Sequence, residues 1–244
     1  MISSTLRLGS SARSNRQALA WEAEYGGTGT DRIESSYSVR PERCVVSFLA
    51  WLGRQGVREG TVLEVGCGRG RNLLPFLRAG WTGHGLDRAT TALRLFQDPG
   101  DAVADRLHLQ AGDMGSKLPY PDAHFDAVLE ITAADNLGAD RRFNRLWREV
   151  ARVLKPGGYL LSYHFTFADG YYGALRRAAA DPKSVRLYDR RAKMSFRFYS
   201  PRDIATAAGG KLALRSTRNY RYPGPMFGKR PMRDLRAAVF QRLP

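Results

Sequence analysis

Apolar and polar residues follow two spacings along the chain, and these spacings predict strands and helices in alternation. Three compact apolar runs are typical of strands that are buried on both faces, at residues 61–65, 126–131 and 154–161. Apolar residues recur every three or four positions in three other segments, which predicts amphipathic helices at 41–52, 72–79 and 140–154. This alternation favours an α/β domain with a mostly parallel sheet.

Weaker patterns complete the prediction. They indicate shorter strands within 80–87 and 107–114 and a helix at 89–96. Beyond residue 167 the pattern predicts a helix near 171–180, a helix from 200 to 209, and strands at 212–220 and 237–243. The helix at 200 has a clear start signal, because Ser200 is a good cap and Pro201 suits the first helical position.

The turn after the first strand carries three glycines at alternate positions, Gly66, Gly68 and Gly70. Gly66 permits a sharp exit from the strand, Gly68 lets the backbone approach a ligand, and Gly70 lets the next helix pack closely on the sheet. Glu64 lies at the ligand end of the strand, where its carboxylate repels a pyrophosphate and suits a cation. The third glycine also comes one residue too early for the dinucleotide fingerprint.

A second acidic residue, Asp87, ends the next predicted strand 21 residues after Gly66. A carboxylate at this distance can bind both ribose hydroxyls of a nucleoside. It can also cap the helix that follows, and the two roles are compatible.

Five phrases in this order resemble the class I S-adenosylmethionine (SAM)-dependent methyltransferases: EVGCGRG at 64–70, GLD at 85–87, GDM at 112–114, FDAV at 125–128 and RVLKPGG at 152–158. The resemblance covers residues 40–165. It implies a doubly wound α/β fold, with a mostly parallel seven-stranded sheet, one antiparallel strand and helices on both faces. It further implies a division into an N-terminal arm and lid at 1–40, a Rossmann-like SAM-binding core at 41–165, and a basic substrate-side insertion with the last helix and strands at 166–244.

The resemblance also implies the cofactor, SAM, and the reaction, methyl transfer to an N, O or S nucleophile. In the family the residue at Asp113 contacts the adenine amino group and Met114 lies beside the ring. The cofactor-binding residues predicted in this way are Tyr37, Arg40, Glu64, Gly66, Cys67, Gly68, Asn72, Asp87, Arg88, Asp113, Met114, Glu130 and Ile131. No catalytic residue is assigned, but Asp135, Asn136 and His164 follow strands four and five, where a substrate should lie. His164 could be a general base or an ordinary structural histidine.

The charge of +16 is concentrated at one end of the chain, since residues 169–244 hold 18 basic and 5 acidic side chains. This excess is consistent with a solvated surface, with an anionic small acceptor, or with RNA. A small-molecule methyltransferase is the first hypothesis, because the predicted core carries no appended recognition domain. The alternatives are an RNA or protein methyltransferase and a SAM-binding protein without catalysis.

The cysteine and histidine content, the apolar runs and the N-terminal composition bear on metal binding, cellular location and membrane insertion. Two cysteines and four histidines show no metal-ligand spacing, so we predict no metal site and, from the low cysteine content, a cytoplasmic location. No apolar run approaches the roughly 18–20 residues of a membrane span. Residues 1–21 contain arginine and serine but no acid before Glu22, which fits a transit peptide or a flexible arm that becomes helical toward 17–24. The glycine-rich stretch that follows suggests a hinge for a lid over SAM.

Overall fold

A seven-stranded sheet forms the centre of the computed structural model, which describes residues 12–27, 33–96 and 100–244. Its strands are β1 (Thr61–Val65), β2 (Thr82–Asp87), β3 (Leu107–Ala111), β4 (Phe125–Ile131), β5 (Leu154–Phe165), β8 (Leu212–Pro223) and β9 (Met232–Arg242). They lie in the order β3-β2-β1-β4-β5-β9-β8. The first five are mutually parallel, whereas β9 is antiparallel to both of its neighbours. The predicted sheet with one antiparallel strand is thereby confirmed.

Helices cover both faces of the sheet, as the doubly wound prediction requires. They are α1 (Ala12–Gly26), α2 (Arg43–Arg54), α3 (Leu74–Arg78), α4 (Thr90–Arg94), α5 (Asp101–Ala104), α6 (Asp140–Val153), α7 (Tyr172–Arg177) and α8 (Pro201–Ala207). One apolar core packs α6 and α8 against the sheet, and Trp147 and Ile204 are fully buried in it. The other core packs α2 and α3 against the opposite face around Phe48 and Phe76. None of the helices in the described part of the chain is long and apolar enough to cross a membrane.

The C-terminal strands are longer than predicted. β9 begins at Met232 rather than at 237, and β8 continues to Pro223, because the two strands remain paired up to their connecting turn. The apolar pattern hides the first part of β9, since Arg233 and Asp234 are buried there as charged residues. The predicted helix start at Ser200 is confirmed, because Ser200 and Asp203 form a reciprocal capping box with Pro201 in the first turn.

An excursion between β5 and α8 holds α7 and a two-stranded hairpin, β6 (Arg186–Asp189) and β7 (Met194–Arg197), that the sequence pattern did not predict. A third apolar cluster ties this excursion to Ile33 in the N-terminal segment and to Met226 and Phe227 in the β8–β9 turn. Segments that are distant in sequence therefore pack together beside the carboxyl ends of β4 and β5. This packing builds the walls of the site described next.

Candidate functional site

The main cavity lies at the carboxyl ends of β1, β2 and β4 and has a volume of about 980 Å³, part of which is open to solvent. Ten of the thirteen predicted cofactor residues line it: Glu64, Gly66, Cys67, Gly68, Asn72, Asp87, Arg88, Asp113, Met114 and Ile131. Ligands bind at this edge in open α/β sheets, where the strand order reverses. Here the reversal lies between β1 and β4.

The glycine-rich turn after β1 is tightly packed. The N–H groups of Gly66 and Cys67 both donate to the carbonyl oxygen of Leu86, at 2.7 and 3.1 Å. Gly66 has a φ of +72°, and a Cβ there would lie 2.4 Å from the Cβ of Ala133. A side chain is therefore excluded at Gly66 both by backbone conformation and by space.

Gly68 and Gly70 also make room for aromatic side chains, and for Gly70 this differs from the predicted role. A Cβ on Gly68 would lie 2.6 Å from the Tyr25 hydroxyl oxygen, so α1 approaches the bare backbone at this point. A Cβ on Gly70 would lie 1.8 Å from the Phe96 ring, so this glycine makes room for the end of the α4 segment. The expected close contact between the helix and the sheet at Gly70 is replaced by this aromatic packing.

Asp87 holds the turn and the start of α4 together. Its Oδ2 accepts a hydrogen bond from the Gly68 N–H, and its Oδ1 accepts one from the Ala89 N–H, both at 2.8 Å. Burial raises the pKa of the carboxyl above its ordinary value, although these hydrogen bonds act in the opposite direction. Each oxygen keeps further acceptor capacity toward the cavity.

Glu64 is the most unusual group in the cavity, because its carboxylate is 1% exposed and only half satisfied. Its Oε1 accepts from Asn72 Nδ2 at 2.8 Å, whereas its Oε2 has no hydrogen-bond partner among the described residues. Burial raises the pKa of this carboxyl to about 8. An ammonium or hydroxyl donor on a ligand would satisfy the free oxygen, so the site fits the cationic amino-acid end of SAM.

Asp113 also lines the cavity, on the side of β3. Arg142 Nη2 contacts both of its carboxylate oxygens at 2.6 and 2.8 Å, and the Gly115 N–H donates to Oδ1 at 3.0 Å. The carboxylate is therefore held in place, while Met114 offers a soft apolar neighbour for a flat base.

Three predicted cofactor residues lie outside the lining. The Tyr37 hydroxyl donates to the Glu24 carbonyl oxygen. Arg40 is exposed, and its backbone carbonyl oxygen accepts a hydrogen bond from Arg71 Nη1. Neither side chain is brought to the cavity in this structure.

Glu130, the third of these residues, lies underneath the cavity floor. Its Oε1 accepts from the N–H groups of Ala133 and Ala134, and its Oε2 accepts from the hydroxyls of Ser162 and Tyr199, all within 2.9 Å. Four donors satisfy this buried carboxylate completely. It therefore acts as a positioning residue for the short 3-10 turn Ala134–Asn136.

The catalytic candidates do not all reach a cavity. Asp135 and His164 are buried and line neither cavity described here, so a direct role is not supported for them. Burial lowers the pKa of His164 to about 3, and its Nδ1 lies 3.3 Å from Ser162 Oγ. Burial and the nearby Glu130 raise the pKa of Asp135 far above its usual range. Asn136, by contrast, lines both cavities.

Helix α1 supplies a wall that the sequence analysis missed. Gln17, Trp21 and Tyr25 line the cavity, and their spacing of four residues places them on one face of the helix. Glu22 fastens α1 to α4 through the Thr90 and Thr91 N–H groups at 2.6 and 3.2 Å. In the sequence, the four-residue spacing of Gln17, Trp21 and Tyr25 was the signal that could have revealed this wall. Residues 28–32 of the predicted lid lie outside the described residues.

The lid hypothesis leads to a proteolysis prediction. We expect S-adenosylhomocysteine to slow tryptic cleavage after Arg32 at least threefold, because a ligand in the cavity adds contacts with α1 and with the segment that holds Ser36 and Ser38. Cleavage after Arg58, an exposed loop residue beyond α2, should not change and provides the internal control. Equal protection at both sites, or none at Arg32, would contradict a lid.

A second cavity of about 490 Å³, part of which is open to solvent, adjoins the first. The two share Trp21, Thr132 and Asn136. The rest of the second cavity is formed by the end of β5, by α7, by the β6–β7 hairpin, by the start of β9 and by Ile33 and Met226.

Comparisons with known proteins agree with this geometry. A family model described as a methyltransferase domain matches residues 63–162. A sterol 24-C-methyltransferase of Gibberella zeae is 32% identical over 120 residues, which are 48% of this chain and 30% of that protein. A phthiotriol/phenolphthiotriol dimycocerosates methyltransferase of Mycobacterium ulcerans is 40% identical over 109 residues, covering 41% of this chain and 35% of that protein. The chain thus spans about a third of the length of these relatives.

Solved structures share the fold over a greater length. The 1,6-didemethyltoxoflavin-N1-methyltransferase of Burkholderia thailandensis, solved with S-adenosylhomocysteine, has a TM-score of 0.62 at 17% identity, covering 100% of this chain and 94% of that chain. Residues 63–162 therefore match a methyltransferase domain, and the chain as a whole has the fold of solved methyltransferases. The matched domain and the S-adenosylhomocysteine bound in that neighbour indicate SAM as the cofactor.

Proposed function

We propose that the protein transfers the methyl group of SAM to an N, O or S atom of a small molecule, as an enzyme of the cytoplasm. The observation that carries the cofactor assignment is the buried Oε2 of Glu64 in the main cavity, which has no hydrogen-bond partner in the described part of the chain. A buried carboxylate oxygen without a partner is costly unless a ligand supplies a donor, and SAM supplies an ammonium group.

The other cavity residues have matching roles in this proposal. Asp87 accepts from the ribose hydroxyls, while Asp113 and Met114 face the adenine. When bound, SAM supplies an electrophilic methyl group on a sulfonium. The chain then has to place the acceptor in line, exclude water and keep the acceptor's lone pair available.

A small acceptor is favoured over a macromolecule by the second cavity, which adjoins the first and is lined by several segments that are distant in sequence. The sterol and phthiotriol methyltransferases among the relatives are named for small or lipidic acceptors. The basic surface supports the alternative, RNA, because β8 forms an edge of the sheet and exposes Arg215, Arg218 and Arg221.

A labelled-SAM screen of metabolite pools and of RNA, each at low salt and at 0.2 M salt, tests the proposal. We expect transfer to a small molecule that survives the higher salt, and RNA binding that is weak, salt-sensitive and without sequence preference. Each phosphate neutralised adds about −0.7 to −0.9 to the log–log salt slope, so an RNA activity would collapse between these conditions. Methyl transfer found only on RNA, and lost at 0.2 M salt, would overturn the small-molecule assignment.

A further inference from the structure

The second cavity has a distinctive chemical lining, and this lining restricts the acceptor. Three aromatic rings form one wall: Phe165, Tyr172 and Phe196. The Tyr172 and Phe196 rings are stacked with centroids 3.8 Å apart, and the Phe165 centroid lies 5.0 Å from that of Tyr172. The sulfur-containing side chains of Met194 and Met226 also line the cavity. Rings and thioethers together provide a flat, polarizable surface that suits a planar aromatic ligand.

Of the described residues that line this apolar cavity, one has a basic side chain. Arg233 is 5% exposed, and its guanidinium carbon lies 4.6 Å from the Phe165 ring centroid and 5.6 Å from that of Tyr172. Its Nε donates to Asp169 Oδ2 at 2.9 Å, whereas its Nη2 is buried without a hydrogen-bond partner among the described residues. A buried guanidinium nitrogen in this state has unused capacity for an acceptor oxygen.

The neighbouring carboxylates are already occupied. Asp169 accepts from the Tyr171, Tyr172 and Asp234 N–H groups in addition to Arg233. Asp189 lines the cavity, but its oxygens accept from the Tyr171 hydroxyl and from the N–H groups of Arg191 and Ala192, at 2.9 to 3.1 Å. The side chain in this cavity that the structure shows with unused hydrogen-bonding capacity is therefore Arg233, a cationic donor. An anionic oxygen on the methyl-accepting molecule would accept its hydrogen bond.

We propose that the methyl acceptor is a planar aromatic molecule that carries a carboxylate, with its ring against Phe165 and Tyr172 and its carboxylate on Arg233. This inference rests on the proposed function, since it describes the acceptor of the same reaction. The methylated atom lies at the far end of the ring from the carboxylate, near Thr132 and Asn136, where the two cavities meet. In the transfer, the acceptor heteroatom's lone pair forms the bond to the methyl carbon, the sulfonium sulfur keeps the electrons of the broken C–S bond, and the acceptor's proton leaves to solvent.

Three probes separate the two parts of this proposal: 2-naphthoate, its neutral analogue 2-naphthamide, and the non-aromatic acid decanoate. Binding of each is measured by calorimetry to the full chain saturated with S-adenosylhomocysteine. We expect 2-naphthoate to bind at least tenfold more tightly than 2-naphthamide, because a hydrogen bond to a charged group contributes about 1.5–3 kcal/mol. We also expect it to bind more tightly than decanoate.

Variants locate the binding to the cavity. Arg233→Met should weaken 2-naphthoate at least tenfold and leave S-adenosylhomocysteine unchanged. The matched control is Arg236→Met, on the same strand, where the side chain donates to Asn219 and lines neither cavity. Because Arg233→Met also leaves the buried Asp169 without its cation and can unfold the chain, Met194→Trp is the second test. It fills the cavity, keeps the ion pair, and should likewise remove 2-naphthoate but not S-adenosylhomocysteine.

Each outcome has a defined meaning. Equal binding of 2-naphthamide and 2-naphthoate, or an equal loss in Arg236→Met, overturns the role of Arg233. Tighter binding of decanoate overturns the aromatic class. If the wild-type chain binds S-adenosylhomocysteine but not 2-naphthoate, this inference is overturned and the methyltransferase function stands. If the wild-type chain does not bind S-adenosylhomocysteine, both are overturned.

Discussion

Replacing Asp87 with alanine is expected to weaken the binding of SAM and of S-adenosylhomocysteine at least tenfold. The variant loses the acceptor for the ribose hydroxyls, and a hydrogen bond to a charged group contributes about 1.5–3 kcal/mol, or about 10- to 150-fold in affinity. It also releases the Gly68 and Ala89 N–H groups, which hold the glycine-rich turn against α4. Both losses act in the same direction, and calorimetry measures their combined effect.

Two further variants make this result specific. Asp105→Ala removes an exposed carboxylate just after α5, outside the main cavity, and should leave the affinity unchanged. Asp87→Asn keeps one acceptor oxygen and should fall between alanine and wild type. An unchanged affinity in a folded Asp87→Ala protein would mean that the ribose is bound elsewhere.

The affinity for SAM is expected to rise on the order of tenfold between pH 6 and pH 7.5, because of Glu64. Burial raises the pKa of this carboxyl to about 8 in the free protein, so it is protonated at pH 6. The SAM ammonium group favours the ionised carboxylate, so binding releases a proton, and released protons make binding tighter as the pH rises. The increase continues until the carboxyl is already ionised in the free protein, near pH 8.

The measurement is calorimetry at several pH values in two buffers with different ionisation heats, which reports the number of protons released. In Glu64→Gln the affinity should be lower and nearly independent of pH across this range, because the amide does not titrate. A wild-type affinity as flat as that of Glu64→Gln would contradict the proposed contact between Glu64 and the cation.

The sequence was sufficient for the part of the molecule in which local pattern and chemistry agree. Strand β1 has the predicted bounds, and Glu64 and Asp87 lie at the ends of two adjacent parallel strands, so their side chains meet at one edge. The helix at α8 was predictable because its start signal depends only on Ser200, Pro201 and Asp203, which are neighbours in sequence. The family resemblance selected thirteen residues for the cofactor, and ten of them line the main cavity.

Other features depend on contacts between segments that are distant in sequence. Glu130 follows the family pattern, but only the fold shows that Ser162 and Tyr199 turn its carboxylate away from the cavity. His164 was a reasonable candidate as a residue at the end of a strand, yet its side chain packs on the Tyr199 ring at 4.5 Å. The position of a residue along its strand does not predict which residues of other segments surround its side chain.

The second cavity was likewise out of reach of sequence reasoning. Its lining comes from many separate segments, among them α1, the end of β5, the excursion and β9. Arg233, the one arginine among the described lining residues, belongs to a stretch whose buried charges concealed the strand. Arg233 was one of 18 basic residues in the last third of the chain. Its burial beside Asp169 and against the aromatic rings of the cavity distinguishes it, and the sequence does not show this.

Calorimetric titration of the full chain with SAM, S-adenosylhomocysteine and NAD tests the central claim most directly. The account predicts micromolar binding of both SAM and S-adenosylhomocysteine and no detectable binding of NAD, because Glu64 favours a cation where a dinucleotide would place a pyrophosphate. Micromolar binding of NAD, with no binding of either SAM species, would contradict it.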